Sequence, residues 1–279
     1  MPTAPGLTRR SFLGAAVSAM TLSACGLPTR ERPERVLFVG NSLIYFNDMP
    51  SQFAQLASAA LGRPVEAEML ARGGAHISQH AAAGVVQREL ATGRYTALVL
   101  QEFGGGLSCH AGLEEFGFSC EASHAAHADL ASSAQQQGAV PVLLGAHRMQ
   151  RGSAVNLSLK EAELAARIGA LHAALGDFPQ LIEAHPDWPW LDPEDGQHPG
   201  LDLSLLMALR TLKTLYRRLP PASAVELRYR DLRGPHVPRL DRLASAQEIH
   251  APWLQRSLSG EDFAQRMRAA GLSLPPRAG

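Results

Sequence analysis

The sequence carries no net charge. Basic residues (Lys+Arg) and acidic residues (Asp+Glu) number 26 each in 279 residues. Without a basic excess there is no electrostatic footprint for a nucleic-acid backbone. Metal-site spacings are missing too. There is no CxxC and no HExxH, and only three cysteines occur, so neither a resident metal nor a dedicated zinc site is expected. No GxxxxGK[ST] occurs, and no GxGxxG follows an apolar run, which argues against a phosphate or nucleotide cradle. Internal repeats are absent. Past residue 25 no apolar run is long enough to span a bilayer. Aromatics make up only 6% of the chain. What is present, 46% hydrophobic and 19% charged residues, suffices for one large α/β domain, alone or with a small appendage.

Residues 1–24 read as a targeting segment rather than fold. Arg9-Arg10 followed by Phe12-Leu13 resembles a twin-arginine export signal, and the apolar run from Leu13 to Leu22 is too short to span as a mature helix. The run ends in Leu22-Ser23-Ala24-Cys25, which resembles a bacterial lipobox, making Cys25 the lipidation site and residues 25–34 a Pro-containing tether. The expectation is an exported protein, lipid-anchored to a bacterial membrane and facing the periplasm or the exterior. Gly26 after Cys25 leans towards the outer membrane where the host has one. Two cysteines remain, Cys109 and Cys120. They are either free thiols or, as an oxidising compartment favours, a disulfide closing a loop of about a dozen residues, worth roughly 2–3 kcal/mol.

From Arg35 short apolar runs alternate with helical patterns. Strands are expected at Arg35–Gly40, Val65–Leu70, Ala97–Gln101, Ala139–Leu144 and Gln180–Ala184. Helices are expected at Met49–Leu61, Ile77–Ala91, Ala122–Gln137, Leu157–Leu175 and Leu201–Leu219. Near-continuous apolar strands alternating with helices imply a parallel sheet of about five strands covered on both faces, a three-layer α/β/α sandwich. The main domain is placed at 35–219. Residues 220–279 read as a helical extension, with short helices at Ala244–Leu258 and Gly260–Ala270.

In open parallel sheets, sites form at the carboxyl ends of strands. Polar clusters fall there: Gly40-Asn41-Ser42, Arg72-Gly73-Gly74, Gln101-Glu102, and the loop His185–Pro199 after the expected fifth strand. Serine acyl transfer needs a base for the hydroxyl proton, a carboxylate to orient the base, and donors for the oxyanion. Ser42 is the candidate nucleophile. Asp195-Gly196-Gln197-His198-Pro199 offers His198 as base and Asp195, three residues before it, as the orienting acid, with Asp192 as the alternative. Each also has an ordinary reading: a helix cap for Ser42, a surface histidine for His198, a turn glycine for Gly74.

The strings "FVGNSLIYFNDMP", "RGGAHISQH", "LVLQE" and "DGQHP", in that order, resemble the sequence blocks of the SGNH (GDSL-type) hydrolases, over about Arg35 to Leu219. The resemblance implies a flavodoxin-like sheet and a serine esterase without cofactor. Ser42 becomes the nucleophile, His198 the base and Asp195 its partner. The oxyanion donors become the Ser42 amide, the Gly74 amide (or that of Gly73) and a side-chain amide from the third block. Where the family has Gly-x-Asn-Asp, this chain has Leu100-Gln101-Glu102, so Gln101 is the candidate. The implied substrate is a small ester or an acylated carbohydrate. The alternative is a non-catalytic lipoprotein that binds a glycan or a partner in the same cleft. Gly104–Gly106 is expected to lie over the site, and Trp188 and Trp190 either form a sugar-stacking wall or pack the loop.

Overall fold

The computed structural model describes residues 34–239, 241–243 and 249–272. The expected export signal, Cys25 and most of the expected tether lie outside the described residues.

Five parallel strands form the central sheet in the order β2-β1-β3-β4-β5. They are β1 (Glu34–Gly40), β2 (Val65–Ala71), β3 (Ala97–Gln101), β4 (Val140–Leu144) and β5 (Leu171–Ala173). Between them in chain order run α1 (Ser42–Tyr45), α2 (Met49–Leu61), α3 (Ile77–Ala83), α4 (Val85–Leu90), α5 (Cys120–Gln136) and α6 (Arg151–Arg167). After β5 come α7 (Phe178–Ala184) and α8 (Leu201–Tyr216). Side chains alternate across a strand, so β1 feeds both layers. Val36 and Phe38 point into a core with Phe53 of α2 and Leu205 and Leu209 of α8, while Leu37 and Val39 meet Ile77, Val86 and Leu130 of α3, α4 and α5. All four β1 residues have no exposed surface. A strand buried on both faces has no polar alternation, which is why the apolar run "VLFV" reads as it does.

Two helical expectations shift at glycines. Ile77–Ala91 is two helices, because Gly84 at φ +68° ends α3 and starts α4. The expected helix Leu157–Leu175 is instead α6, which starts earlier and stops before Gly169 at φ +66°. Beyond that glycine the chain extends into the three-residue edge strand β5. The expected fifth strand, Gln180–Ala184, is therefore a correction: this run lies in α7, where Pro179 sits in the first turn after Asp177. A short apolar run is ambiguous between strand and helix, and proline at the start of a helix decides it here.

The extension is a second correction. It is not all helical: β6 (Val225–Arg230) and β7 (Trp253–Leu258) pair antiparallel, and among its described residues α9 (Gly260–Ala269) is the one α-helix. Residues 253–258, expected in a helix, form β7. Val225, Leu227 and Tyr229 alternate with charged residues, the period of a half-buried strand. The extension continues the core through Leu227, Leu232, Leu258, Phe263 and Met267. Buried Arg230 binds buried Asp48 (Nε to Oδ2, 2.6 Å), and Arg256 and Arg266 converge on buried Asp202 at the start of α8 (2.7 and 2.6 Å). Among the described residues, no helix is long and apolar enough to cross a membrane.

Candidate active site

The order β2-β1-β3 makes the end of β1 the point where connections leave in opposite directions, the place where open α/β sheets bind ligands. Gly40 closes β1 against Gln101 of β3. A Cβ there would meet the Gln101 carbonyl oxygen at 3.0 Å, so any side chain would push the two strand ends apart by a few tenths of an ångström. Asn41 then caps α1: its Oδ1 accepts from the Leu43 N–H (3.1 Å) and its Nδ2 donates to the Ala75 carbonyl (3.2 Å). This sets Ser42 at the first position of α1, with its hydroxyl facing the cleft.

The loop before α8 brings the other two residues. Ser42 Oγ and His198 Nε2 lie 2.8 Å apart, and His198 Nδ1 and Asp195 Oδ2 lie 2.5 Å apart. Asp195 Oδ1 also accepts the backbone N–H groups of Gln197 (2.7 Å) and His198 (2.9 Å). Burial raises the Asp195 carboxyl, but those two amides and the imidazole outweigh it and pull the pKa down to about 2. A permanent carboxylate at Nδ1 keeps the proton there and leaves Nε2 to accept the Ser42 O–H. Asp192 does not touch the imidazole. Its Oδ1 accepts the Glu194 N–H and its Oδ2 meets Arg233, while its backbone exchanges bonds with His198 and Gly196. Asp192 builds the turn, and Asp195 orients the base.

Two residues that spacing did not single out hold this loop. Phe46 stacks on the His198 ring, centroids 3.8 Å apart and planes within 11°. It lies four residues after Ser42, so it shares a helical face with that serine, the one signal that could have found it. His147 donates from Nε2 to the Gln197 carbonyl (2.8 Å); burial lowers its pKa to about 4, which keeps it neutral at physiological pH. Behind β1, buried His80 binds the Gly40 carbonyl (2.7 Å) and is likewise lowered to about 4 by burial.

The candidate oxyanion donors separate. Gly74 lines the cleft beside Asn41, Ser42 and His198. Its φ of +67° is a conformation that favours glycine, and neither its amide nor that of Ser42 bonds to another described residue. Gly73 is turned against the Tyr45 hydroxyl. Gln101 is a correction. It is fully buried, its Nε2 donates to the Glu102 carbonyl, and it does not line the cleft. The longer stem folds back on its own backbone instead of reaching the rim. Glu102 is structural: its carboxylate accepts from the Ile77 and Phe103 amides (3.2 and 2.6 Å) and from the Ser123 hydroxyl (2.5 Å). Burial raises its pKa, and these three donors oppose the shift.

Cys109 and Cys120 form a disulfide, Cα atoms 5.5 Å apart. It ties the glycine-rich loop to the start of α5, and Phe103, Gly104, His110 and Leu113 of that loop wall the cleft, whose volume is about 620 Å³. Among the described residues, one group has the ligand count of a metal site: Cys109, Cys120 and His124. With its sulfurs joined, that group is not a metal-binding set. Trp190 is buried with its indole N–H on the His185 carbonyl, and Trp188 lies between the His185 ring and the Arg266 guanidinium. Both pack the loop; neither faces the cleft.

Compared by sequence, the chain matches no family profile and no curated protein. Its fold is shared with solved structures. A variant of the acetyl-xylooligosaccharide esterase Axe2 from Geobacillus superposes with a TM-score of 0.53 at 12% identity, over 66% of this chain and 94% of that one. A DUF4886 family protein from Bacteroides uniformis gives 0.50 at 12% identity, over 67% and 84%. LAE5, described as an alpha/beta hydrolase enzyme from the metagenome of Lake Arreo, gives 0.50 at 14% identity, over 65% and 94%. The parallel five-stranded α/β/α sandwich is therefore an architecture this chain has in common with these proteins.

Proposed function

We propose that the protein is an SGNH-type serine esterase that cleaves carboxylic esters through an acyl-enzyme on Ser42. One observation carries this: the Ser42 hydroxyl, the His198 ring and the Asp195 carboxylate form a continuous hydrogen-bonded chain at the rim of the sheet. Ser42 Oγ attacks the ester carbonyl while His198 Nε2 takes the hydroxyl proton. The Asp195 carboxylate stabilises the imidazolium. The Ser42 and Gly74 amides meet the charge that develops on the carbonyl oxygen. Collapse of the tetrahedral intermediate releases the alcohol, which takes the proton from His198. Water, activated by His198 in turn, then frees the acid and restores Ser42.

The substrate side of the proposal is a small acyl ester, with O-acetyl on carbohydrate as the leading class. The loop-walled cleft of about 620 Å³ and the shared fold of an acetyl-xylooligosaccharide esterase support it. The amino-terminal signature supports an exported, membrane-anchored lipoprotein. Labelling with a palmitate analogue that is lost in Cys25→Ala tests that part.

The activity test uses residues 26–279 with p-nitrophenyl acetate, butyrate and octanoate. The expected result is acetate preferred, and a fall of roughly 10⁴–10⁶-fold in kcat for Ser42→Ala. Wild type and Ser42→Ala equally inert on every ester, both folded, would end the hydrolase reading.

A further inference from the structure

The cleft at Ser42 does not end at the catalytic residues. A second depression of about 550 Å³ adjoins it and shares His110, Arg148 and Met149 with it. Its far side is built from Ser108, Ser153 and Asn156. The two form one groove, and Arg148 stands at their junction.

The charges of that groove are one-sided. No Asp or Glu lines either half, and Arg148 is the one Lys or Arg among the lining residues. The Arg148 guanidinium makes no hydrogen bond or ion pair with any described residue. By contrast, Arg35, Arg94, Arg151, Arg210, Arg233 and Arg266 each hold a carboxylate. Nor is it loose: it lies against the backbone of Gly105, where a Cβ would overlap it. The glycine of the loop thus makes room for an arginine that has no hydrogen-bond or ion-pair partner among the described residues. Its neighbour His147 is held neutral by burial, so it neither adds to that charge nor competes for the same anion.

Resting on the esterase reading, we infer that the groove selects esters bearing a second, anionic group, a carboxylate or phosphate, which Arg148 binds while Ser42 attacks the ester carbonyl. A guanidinium presents paired donors that match such groups bidentately. Ser108, Ser153 and Asn156 supply further hydrogen bonds to a polar substrate body.

The experiment compares ester pairs that differ only in charge. On the acyl half the pair is 4-nitrophenyl hemiglutarate against 4-nitrophenyl valerate. On the alcohol half it is 4-carboxyphenyl acetate against its methyl ester. Wild type, Arg148→Gln and Arg148→Lys are assayed for kcat/KM, with thermal melts confirming the fold. The expected result is an anionic-to-neutral ratio that falls roughly tenfold in Arg148→Gln for at least one pair and is partly kept in Arg148→Lys. The pair that responds assigns the anion to the acyl or the alcohol half. The wild-type preference also shrinks as salt is raised. Ratios that move less than about twofold in both pairs overturn the inference. Glutarate and 4-hydroxybenzoate binding to Ser42→Ala and to Ser42→Ala/Arg148→Gln, by calorimetry, separates the two readings. Binding that depends on Arg148 while wild type cleaves no ester sinks the hydrolase and supports the anion site. Ester cleavage with binding and ratios indifferent to Arg148 sinks the anion site and keeps the hydrolase.

Discussion

The ends of β1 and β3 lie side by side in the sheet, and both finish in polar residues, yet they do opposite things. At β1, Asn41 satisfies the backbone and leaves the Ser42 hydroxyl to a partner from far along the chain. At β3, both side chains turn inward: Gln101 Nε2 donates to the Glu102 carbonyl, with Gln101 Oε1 buried and unbonded among the described residues, and the Glu102 carboxylate accepts from the Ile77 and Phe103 amides and the Ser123 hydroxyl. A polar cluster at a strand end therefore marks two things, chemistry or the scaffold that holds chemistry. Burial away from the cleft, with donors and acceptors aimed at the scaffold, tells them apart.

Substitutions can sharpen or break that contrast. On the β1 side, Asp195→Asn should lower kcat by about 10³–10⁴-fold with little change in melting temperature, because the wrong tautomer of His198 would face Ser42. Steady-state kinetics on p-nitrophenyl acetate checks this, and a loss below about tenfold would mean that the carboxylate is not what orients the ring. Next in size is a pH effect from the histidines behind both strand ends. His80 and His127 are lowered to about 4 by burial, against an ordinary value of 6.5. Between those values the unfolded chain binds protons that the folded chain refuses, so stability is complete above pH 6.5 and drains away as pH falls towards 4. Each such histidine contributes up to about 3 kcal/mol to that slope. Urea midpoints across this range should fall, and less steeply in His80→Gln; parallel slopes for the two proteins would refute it.

On the β3 side, Glu102→Ala strands the Ile77 and Phe103 amides and should cost roughly 1–3 kcal/mol of stability, read by chemical denaturation. The smallest expected effect is Gln101→Ala on catalysis. Its amide is turned away from the cleft, so kcat should stay within about threefold. A loss of 10²–10³-fold, the usual cost of an oxyanion donor, would show that Gln101 swings out when substrate binds, and the contrast between the two strand ends would collapse.

Much of the molecule was legible before its geometry. Three of the five sheet strands, β1, β3 and β4, are built on continuous apolar runs with few alternatives, and β2 ends in one. Asp195 and His198 sit three apart in a loop, close enough to bond without help from the rest of the fold. What escaped the sequence depends on contacts across the chain. β5 is only three residues long, too short to stand out from the helix before it. The Gln101 side chain could be placed at the strand end but not aimed, because its direction is decided by how closely Gly40 approaches. Phe46, His147 and Arg148 carry no motif. They matter through a stacked ring, a carbonyl and a gap over Gly105, and only the four-residue step from Ser42 to Phe46 leaves a trace in the sequence. The extension was read as helical because its arginines and prolines masked the alternation of Val225, Leu227 and Tyr229.

The pairing of Arg230 with Asp48 spans 182 positions. Asp48 closes the turn between the short helix that begins at Ser42 and the long one behind it, at a backbone φ of +46° that few residues tolerate. The Phe46 carbonyl is also held from the far end, by the Leu232 amide at 3.3 Å. A ribosome therefore releases Ser42 early and its brace among the last quarter of the chain. Contacts so distant in sequence form slowly. The centre would stay unfinished through most of synthesis and become competent only when the carboxyl-terminal strands dock. Shortening the gene at the end of the recognisable hydrolytic blocks would remove that final step rather than trim an ornament.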